Sequence, residues 1–308
     1  PDCWQLKQEL AQQCAVDPEM ILVGNGSTEL IHLLPRALTI TSALVIGPTF
    51  EEYAHALTEA GSSVQYVHAT YEEQFRPPLH ETLRQLSGKR SRFDAVFLCN
   101  PNNPTGQVLN RLAVRELAEA VERRQGWLIV DEAFIDYCPA QSVMPILRDY
   151  PHMIVLRSLT KFYAMPGLRI GYLVGSRQVV DQLKDRQPPW SVNSLAQEIS
   201  CAVLRDRAYA TKSRTYMKSE RSRFMRGLRS LAGLRVYPSA ANFVLLELRA
   251  TTSAAEVTAR LAVERILVRD CSTMPGLTSQ MIRVAVKTEK ENRRLLTALG
   301  ACVGKKKP

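Results

Sequence analysis

The chain has 308 residues, 45% of them hydrophobic and 23% charged, which is typical of a soluble globular protein with a full apolar core. No apolar run approaches the roughly 20 residues that a membrane-spanning helix needs, so we expect no membrane contact. The net charge of +10 comes partly from the Lys305–Lys307 tail and a basic stretch at 214–229, for which a solvated helix face is favoured over a nucleic-acid surface because no aromatic stacking platform accompanies it.

Short β-rich runs alternate with helical patterns along the first two thirds of the chain. Strands are predicted at 43–46, 64–68, 95–99, 128–130, 154–156 and 170–174, and helices at 51–60, 111–124 and 179–186. This alternation predicts an α/β fold in which both faces of a mostly parallel sheet are covered.

The pattern changes near residue 202. A long helical stretch to about 231 is followed by predicted strands at 242–248 and 281–286 and helices at 254–264 and 289–299. We therefore expect a residual N-terminal segment at 1–19, a large domain at 20–205 and a smaller α+β C-terminal domain at 206–308.

The cysteines and the N-terminus indicate the compartment. The seven cysteines are scattered and form no Cys-x-x-Cys pattern, which favours free thiols, no metal site and a reducing cytoplasm. The first residues, Pro1 to Gln5, show neither a basic start nor an apolar stretch, so no signal peptide is expected. Because an initiator Met is also missing, we expect a fragment or a processed chain.

A glycine-rich turn precedes the first apolar helical pattern. It reads Gly-Asn-Gly-Ser-Thr-Glu from Gly24 to Glu29. The glycines allow close approach of the backbone to a ligand, and Ser27 and Thr28 are predicted to cap a helix N-terminus, which favours an anion. An ordinary helix cap is the alternative interpretation.

Polar and aromatic groups follow three predicted strands, at the edge where α/β sheets bind ligands. Phe50 is a candidate to stack on an aromatic ligand, although an isolated Phe is more often part of the core. Asn103 lies in a proline-rigidified loop at 100–106 and can donate to a ligand oxygen. Asp131 ends a buried strand, where a carboxylate needs a partner such as a protonated pyridine nitrogen. A rigid turn and a helix-capping aspartate are the alternatives for Asn103 and Asp131.

The stretch from Ser158 to Gly171 carries the most informative pair. It reads Ser-Leu-Thr-Lys-Phe-Tyr-Ala-Met-Pro-Gly-Leu-Arg-Ile-Gly and places Lys161 and Arg169 eight residues apart. A lysine can form a Schiff base with an aldehyde, and an arginine can pair with a phosphate through two parallel hydrogen bonds. Pyridoxal 5′-phosphate has both groups and is the predicted cofactor.

In order and spacing, these motifs resemble those of the fold-type I pyridoxal-phosphate enzymes. The chain is similar to the class I and II aminotransferases, in particular the histidinol-phosphate aminotransferase branch, and within it to the L-threonine-O-3-phosphate decarboxylases of cobalamin synthesis. The resemblance covers essentially the whole chain. The narrower similarity depends on the segments 131–136, 157–163, 189–193, 265–269 and 281–285.

The resemblance implies a role for each matching residue. Lys161 would carry the Schiff base, Asp131 would pair with the pyridine nitrogen, Asn103 would bond the phenolic oxygen and Phe50 would stack on the ring. The cofactor phosphate would be held by Gly26, Ser27, Thr28, Ser158 and Arg169. On the substrate side, Arg283 would bind the α-carboxylate, Arg269 would assist with an anionic group and Asn193 would line the same pocket.

The chain departs from the aminotransferase pattern in two places. Phe134 stands where most members have a tyrosine that bonds the phenolic oxygen, a loss of about 1 kcal/mol. The decarboxylase branch shares this Phe. The chain also begins after the position of the family's N-terminal arm, which carries substrate-contacting residues and a tyrosine that reaches the partner subunit's cofactor phosphate.

The resemblance implies decarboxylation of L-threonine O-3-phosphate, a small anionic amino-acid phosphate, by a homodimer. Transamination of histidinol phosphate or a related amino acid is the alternative, since sequence does not determine which bond at the substrate Cα is aligned for cleavage. A truncated, non-catalytic binding module is a third hypothesis, and intact Lys161, Asp131, Asn103 and Arg169 argue against it.

Overall fold

In a computed structural model, which describes residues 2–88, 92–249 and 252–303, two sheets organise the chain. The larger sheet has seven strands in the order β1-β7-β6-β5-β4-β2-β3. Their bounds are β1 Ile21–Gly24, β2 Ser42–Gly47, β3 Ser63–His68, β4 Ala95–Cys99, β5 Trp127–Asp131, β6 Met153–Ser158 and β7 Gly171–Val174. The buried, β-branched character of these runs explains why most of them were predictable.

The large sheet is mostly parallel, as expected. Strands β3, β2, β4, β5 and β6 pair in parallel, and β7 runs antiparallel to both β6 and β1. In the register, Asp131 lies opposite Cys99 of β4 and Leu156 of β6. The carboxyl ends of β4, β5 and β6 therefore meet at one edge of the sheet.

Helices cover both faces of this sheet, as a mostly parallel sheet requires. Apolar side chains of α1, α5 and α8 pack in the layer on one face, and those of α2, α3 and α7 in the layer on the other. The helices preceding the second sheet are α1 Trp4–Cys14, α2 Gly26–Ala37, α3 Glu52–Glu59, α4 Leu79–Ser87, α5 Arg111–Glu122, α6 Leu159–Phe162, α7 Arg177–Lys184, α8 Ser194–Arg205 and α9 Arg207–Arg229.

The second sheet is antiparallel and has the strand order β10-β11-β9-β8. Its elements are β8 Leu234–Val236, β9 Phe243–Leu248, α10 Ala254–Val263, β10 Arg269–Asp270, β11 Met281–Ala285 and α11 Glu289–Val303. Side chains of α9, α10 and α11 pack against it in a separate apolar cluster. The domain boundary at 205/206 stays a prediction.

The structure differs from the predicted elements in specific places. The stretch from 202 to 231 is two helices, because α8 ends at Arg205 and Asp206 caps α9 by accepting from the Tyr209 amide at 2.8 Å. Helix α1 occupies most of the segment expected to be residual. Strands β1, β8 and β10 and helices α4 and α6 were not predicted.

The basic stretch on α9 is not simply a solvated face. Arg221 is half-buried and donates to the carbonyls of Ala240 and Ala241 at 2.7 and 2.9 Å. The Arg214 guanidinium lies 5.7 Å from the ring centroid of Phe162. These arginines therefore tie α9 to neighbouring segments. The Lys305–Lys307 tail lies outside the described residues.

All seven cysteines are free thiols, five of them buried, as expected from their spacing. Within the described ranges, no helix is long and apolar enough to cross a membrane.

Candidate active site

A cavity of about 580 Å³ lies at the carboxyl ends of the central strands, where the two sheets face each other. Side chains from both sheets line it. The large sheet and its loops contribute Phe50, Asn103 and Lys161, and the small sheet contributes Arg269 and Arg283. Five of the predicted site residues, far apart in sequence, are thus brought together around one space.

Lys161 lies in the short helix α6, which follows β6 directly. Its Nζ donates to Thr160 Oγ1 at 2.9 Å, and the Thr160 hydroxyl lies 2.7 Å from Ser158 Oγ. Burial and the positive charges of Arg169 and Arg283 lower the pKa of Lys161, although Asp131 opposes them. A lysine with a lowered pKa has a larger neutral fraction, which is the form that attacks an aldehyde.

Asp131, at the end of β5, is only 4% exposed. Its Oδ2 accepts from the Tyr53 hydroxyl at 2.6 Å and its Oδ1 from the Ala133 amide at 2.9 Å. Burial raises the pKa of this carboxyl, and Asp131 forms no ion pair in the part of the chain that the structure describes. A buried carboxylate without a cation fits a ligand that brings one, such as a protonated pyridine nitrogen.

A buried ion pair connects the ends of the two strands that carry these groups. Arg157 Nε lies 2.9 Å from Glu132 Oε2, and Glu132 is fully buried. Glu132 also accepts from Ser142 Oγ at 2.9 Å and from the Val143 amide at 2.7 Å. Because Glu132 follows Asp131 and Arg157 precedes Ser158, the pair holds β5 and β6 in register beside the site.

The N-terminus of α2 meets Arg169 closely. Gly26 has φ of 80°, and a Cβ there would lie 2.6 Å from Arg169 Nη2. A Cβ on Gly171 would collide with the Ser27 amide nitrogen. These two glycines leave room for the guanidinium and the first turn of α2 to approach each other, as an anion site at a helix N-terminus requires.

The expectation that Ser27 and Thr28 cap this helix is wrong. Helix α2 begins at Gly26, Asn25 is its N-cap, and the Asn25 side chain makes no capping hydrogen bond. Ser27 and Thr28 lie inside the first turn instead. Their backbone N–H groups are among those that an α-helix leaves without an internal partner, so they can donate to a phosphate.

We expect Gly26→Ala to weaken pyridoxal-phosphate binding by about 10- to 100-fold, because the new methyl group displaces Arg169 and a charge-assisted hydrogen bond is worth about 1.5–3 kcal/mol. Gly61→Ala is the matched control: Gly61 has φ of 81° with nothing within 4 Å of its added Cβ. Both variants should lose about 1–2 kcal/mol of stability through left-handed backbone strain. Titration of cofactor-free protein measures the affinity. Equal affinities for the two variants would contradict this placement of Arg169.

Asn103 and Arg283 are in direct contact across the cavity. Arg283 Nη1 donates to Asn103 Oδ1, and the Arg283 guanidinium lies 4.9 Å from the ring centroid of Phe243. Among the described residues, the Asn103 amide nitrogen donates no hydrogen bond, so it can serve a ligand oxygen. Burial lowers the pKa of Arg283. A guanidinium is effectively always protonated in proteins, so the residue presents a cation to an anionic substrate group.

Arg269 lies directly opposite Arg283, as its Cα partner between β10 and β11. Its guanidinium is half-exposed and lies 3.6 Å from Glu51. Two neighbouring cations on one wall of the cavity can receive two anionic groups of one substrate.

Asn193 is not among the described residues that line this cavity, so its role in the substrate pocket stays a prediction. Its Oδ1 caps α8 by accepting from the Ala196 amide at 2.8 Å, and its Nδ2 donates to the Leu168 carbonyl at 3.3 Å. Both ends of the amide are thus used to hold α8 against the loop that carries Arg169.

Sequence analysis missed residues that act behind the cavity. Tyr53 bonds Asp131, and Arg157 pairs with Glu132. The one available signal was that polar side chains occur within or next to apolar runs of the sequence. A tyrosine hydroxyl or a carboxylate that is buried there needs a hydrogen-bond partner. That signal does not identify the partner.

Comparisons with known proteins find a matching family, similar sequences and similar structures. Residues 4–299 match the family described as aminotransferase class I and II. A threonine-phosphate decarboxylase of Salmonella typhimurium is 38% identical over 97% of the chain and 81% of that relative.

Two solved structures are also similar. A histidinol-phosphate aminotransferase from Clostridium acetobutylicum has a TM-score of 0.91 at 29% identity and covers 98% of this chain and 89% of its own. An L-threonine-O-3-phosphate decarboxylase from Porphyromonas gingivalis has a TM-score of 0.86 at 28% identity. The similarity covers 99% of this chain and 90% of the decarboxylase chain.

Proposed function

Because the chain belongs to the class I and II aminotransferase family, we propose that it is a pyridoxal-phosphate-dependent enzyme that decarboxylates L-threonine O-3-phosphate to (R)-1-amino-2-propanol O-2-phosphate for cobalamin synthesis. The observation that carries the proposal is the placement of Arg269 and Arg283 side by side in the cavity that Lys161 faces. A substrate with a carboxylate and a phosphate has one anion for each arginine.

The groups described above would hold the cofactor. Lys161 would bind its aldehyde, Asp131 its ring nitrogen and Asn103 its phenolic oxygen, and Phe50 would stack on its ring. The phosphate would be held by Gly26, Ser27, Thr28, Ser158 and Arg169. When bound, the cofactor supplies an electron sink for the bond that breaks at the substrate Cα.

The reaction replaces a carboxylate by a proton at Cα. Arg283 holds the α-carboxylate and Arg269 the distal phosphate, which together set the direction of the Cα–carboxylate bond. Phe134 and Phe243 pack edge to face at 4.9 Å and provide an apolar wall beside Arg283. As CO₂ leaves, Lys161 Nζ delivers the proton to Cα.

The decisive experiment incubates the cofactor-loaded enzyme with L-threonine O-3-phosphate. We expect release of CO₂ and formation of aminopropanol phosphate. The parallel arm offers histidinol phosphate with 2-oxoglutarate. Amino transfer in that arm, with no CO₂ from the first, would replace this proposal by the aminotransferase alternative, whose relatives share the fold. Failure to bind the cofactor would refute both.

We expect Arg283→Gln to lower kcat/KM for threonine phosphate by about 30- to 5,000-fold, since removal of one partner of a desolvated charge pair costs about 2–5 kcal/mol. Arg265→Gln is a suitable control, because Arg265 belongs to the same unit but does not line the cavity. Steady-state kinetics measure the effect. The assignment fails if Arg283→Gln keeps the wild-type kcat/KM.

We also propose that the enzyme is a homodimer in the cytoplasm. An exposed apolar strip supports the first part: Trp190 is 74% exposed, and Leu195 and Ile199 are exposed four residues apart on α8. The seven free cysteines support the second. Sedimentation equilibrium tests the assembly, and a monomer at micromolar concentration would refute it.

A further inference from the structure

Tyr53 lies behind the candidate ring-nitrogen partner and has no role in the scheme above. It is in the first turn of α3 and is 1% exposed. Its hydroxyl donates to Asp131 Oδ2 at 2.6 Å, while the backbone amide of Ala133 donates to the other oxygen at 2.9 Å. Donors from two separate elements therefore fix the plane of the carboxylate.

The same tyrosine also contacts the candidate stacking residue. The Phe50 and Tyr53 rings meet edge to face at 5.7 Å, and Tyr53 packs on Phe97 of β4 at 5.6 Å. Phe50 lies two residues before α3, and Tyr53 lies in the first turn of that helix. One residue thus links the ring proposed to stack on the cofactor with the carboxylate proposed to bind its nitrogen.

The charges around Asp131 explain what the hydroxyl does. Burial raises the pKa of the Asp131 carboxyl, whereas the hydrogen bond from Tyr53 and the charge of Lys161 lower it. Cys99, which faces Asp131 from β4, has its pKa raised to about 12 and stays neutral. The pKa of Tyr53 is raised well above 10, so the hydroxyl remains a donor throughout the working range.

We propose that Tyr53 is a positioning residue that keeps the Asp131 carboxylate ionised and oriented toward the cofactor's ring nitrogen. The inference rests on the assignment of Asp131 in the proposed function. It does not depend on which bond of the substrate is broken. Loss of the hydroxyl leaves the ring packing intact but removes one of the two donors that favour the charged form of Asp131.

The test is cofactor affinity of Tyr53→Phe, measured by titrating cofactor-free protein with pyridoxal phosphate at pH 6 and pH 8. Binding of a protonated ring nitrogen needs ionised Asp131, and removal of the hydroxyl raises the pH at which this carboxylate becomes protonated. We expect the affinity to fall by about tenfold at pH 8, as for loss of a hydrogen bond to a charged group, and by more at pH 6. The visible absorbance of the bound cofactor should become pH-dependent over the same interval.

Tyr172→Phe is the matched control. Tyr172 is a buried tyrosine of β7 in the opposite apolar layer, and its hydroxyl lies 3.6 Å from Cys14 Sγ. The Tyr172→Phe variant should leave the affinity for pyridoxal phosphate and the absorbance of the bound cofactor unchanged at both pH values. Thermal unfolding of the cofactor-free variants reports any packing defect separately.

Two results would overturn the inference: an affinity of Tyr53→Phe within twofold of wild type, or a loss equal at pH 6 and pH 8, which indicates packing alone. Failure of the proposed function looks different. In that case the wild-type protein would bind the cofactor and respond to Tyr53→Phe as described, yet release no CO₂ from threonine phosphate.

Discussion

Lys161→Ala is expected to lower turnover by at least about 10³-fold and to remove the covalent attachment of the cofactor. The lysine lines the cavity, and its Nζ donates to the neighbouring Thr160 hydroxyl. Its pKa is lowered by burial and by Arg169 and Arg283. In our proposal no other group binds the aldehyde or delivers the proton to Cα. Borohydride reduction followed by peptide mass spectrometry should locate the cofactor on Lys161.

Lys184→Ala serves as the control for this experiment, because Lys184 is an exposed lysine at the end of α7. It should retain activity and labelling. Reductive labelling of another lysine in the wild-type protein, or full turnover by Lys161→Ala, would disprove the assignment.

Asp131→Asn is expected to lower kcat by about 10²- to 10³-fold, because a neutral amide does not stabilise the proton on the ring nitrogen. The carboxyl is buried without an ion pair among the described residues, and burial raises its pKa. The folded state thus disfavours the ionised carboxylate of Asp131. Above the pKa of Asp131 in the folded protein, this lowers the free energy of unfolding. The cofactor-free Asn variant should therefore unfold at or above the wild-type temperature.

Kinetics and thermal unfolding at pH 8 measure these two effects together. Asp185→Asn, at the exposed end of α7, should change neither. A large loss of stability in Asp131→Asn would assign the carboxylate a structural role, and unchanged kcat would remove it from the mechanism.

Local patterns predicted most of the large sheet. Strands β2 to β7 lie within two residues of their predicted bounds at every end. Most of them are buried on both faces and form continuous apolar runs, whereas the edge strand β3 is largely unburied. Helix α1 was missed, although Leu6 and Leu10 give it a buried apolar face. The expectation that Ser27 and Thr28 cap α2 failed for another reason: capping depends on where a helix begins, which is the least certain feature of a pattern.

The sequence by itself determined the family resemblance, the cofactor and the candidate lysine, because each motif is a short segment whose residues act through local chemistry. The tertiary structure decided which groups meet. Tyr53 and Asp131 are 78 positions apart, and Asn103 and Arg283 are 180 apart. Their contacts arise because parallel strands end at one edge and the small sheet packs against it. A pattern records residue type and spacing, whereas the partner of a buried polar group is set by the packing of distant elements.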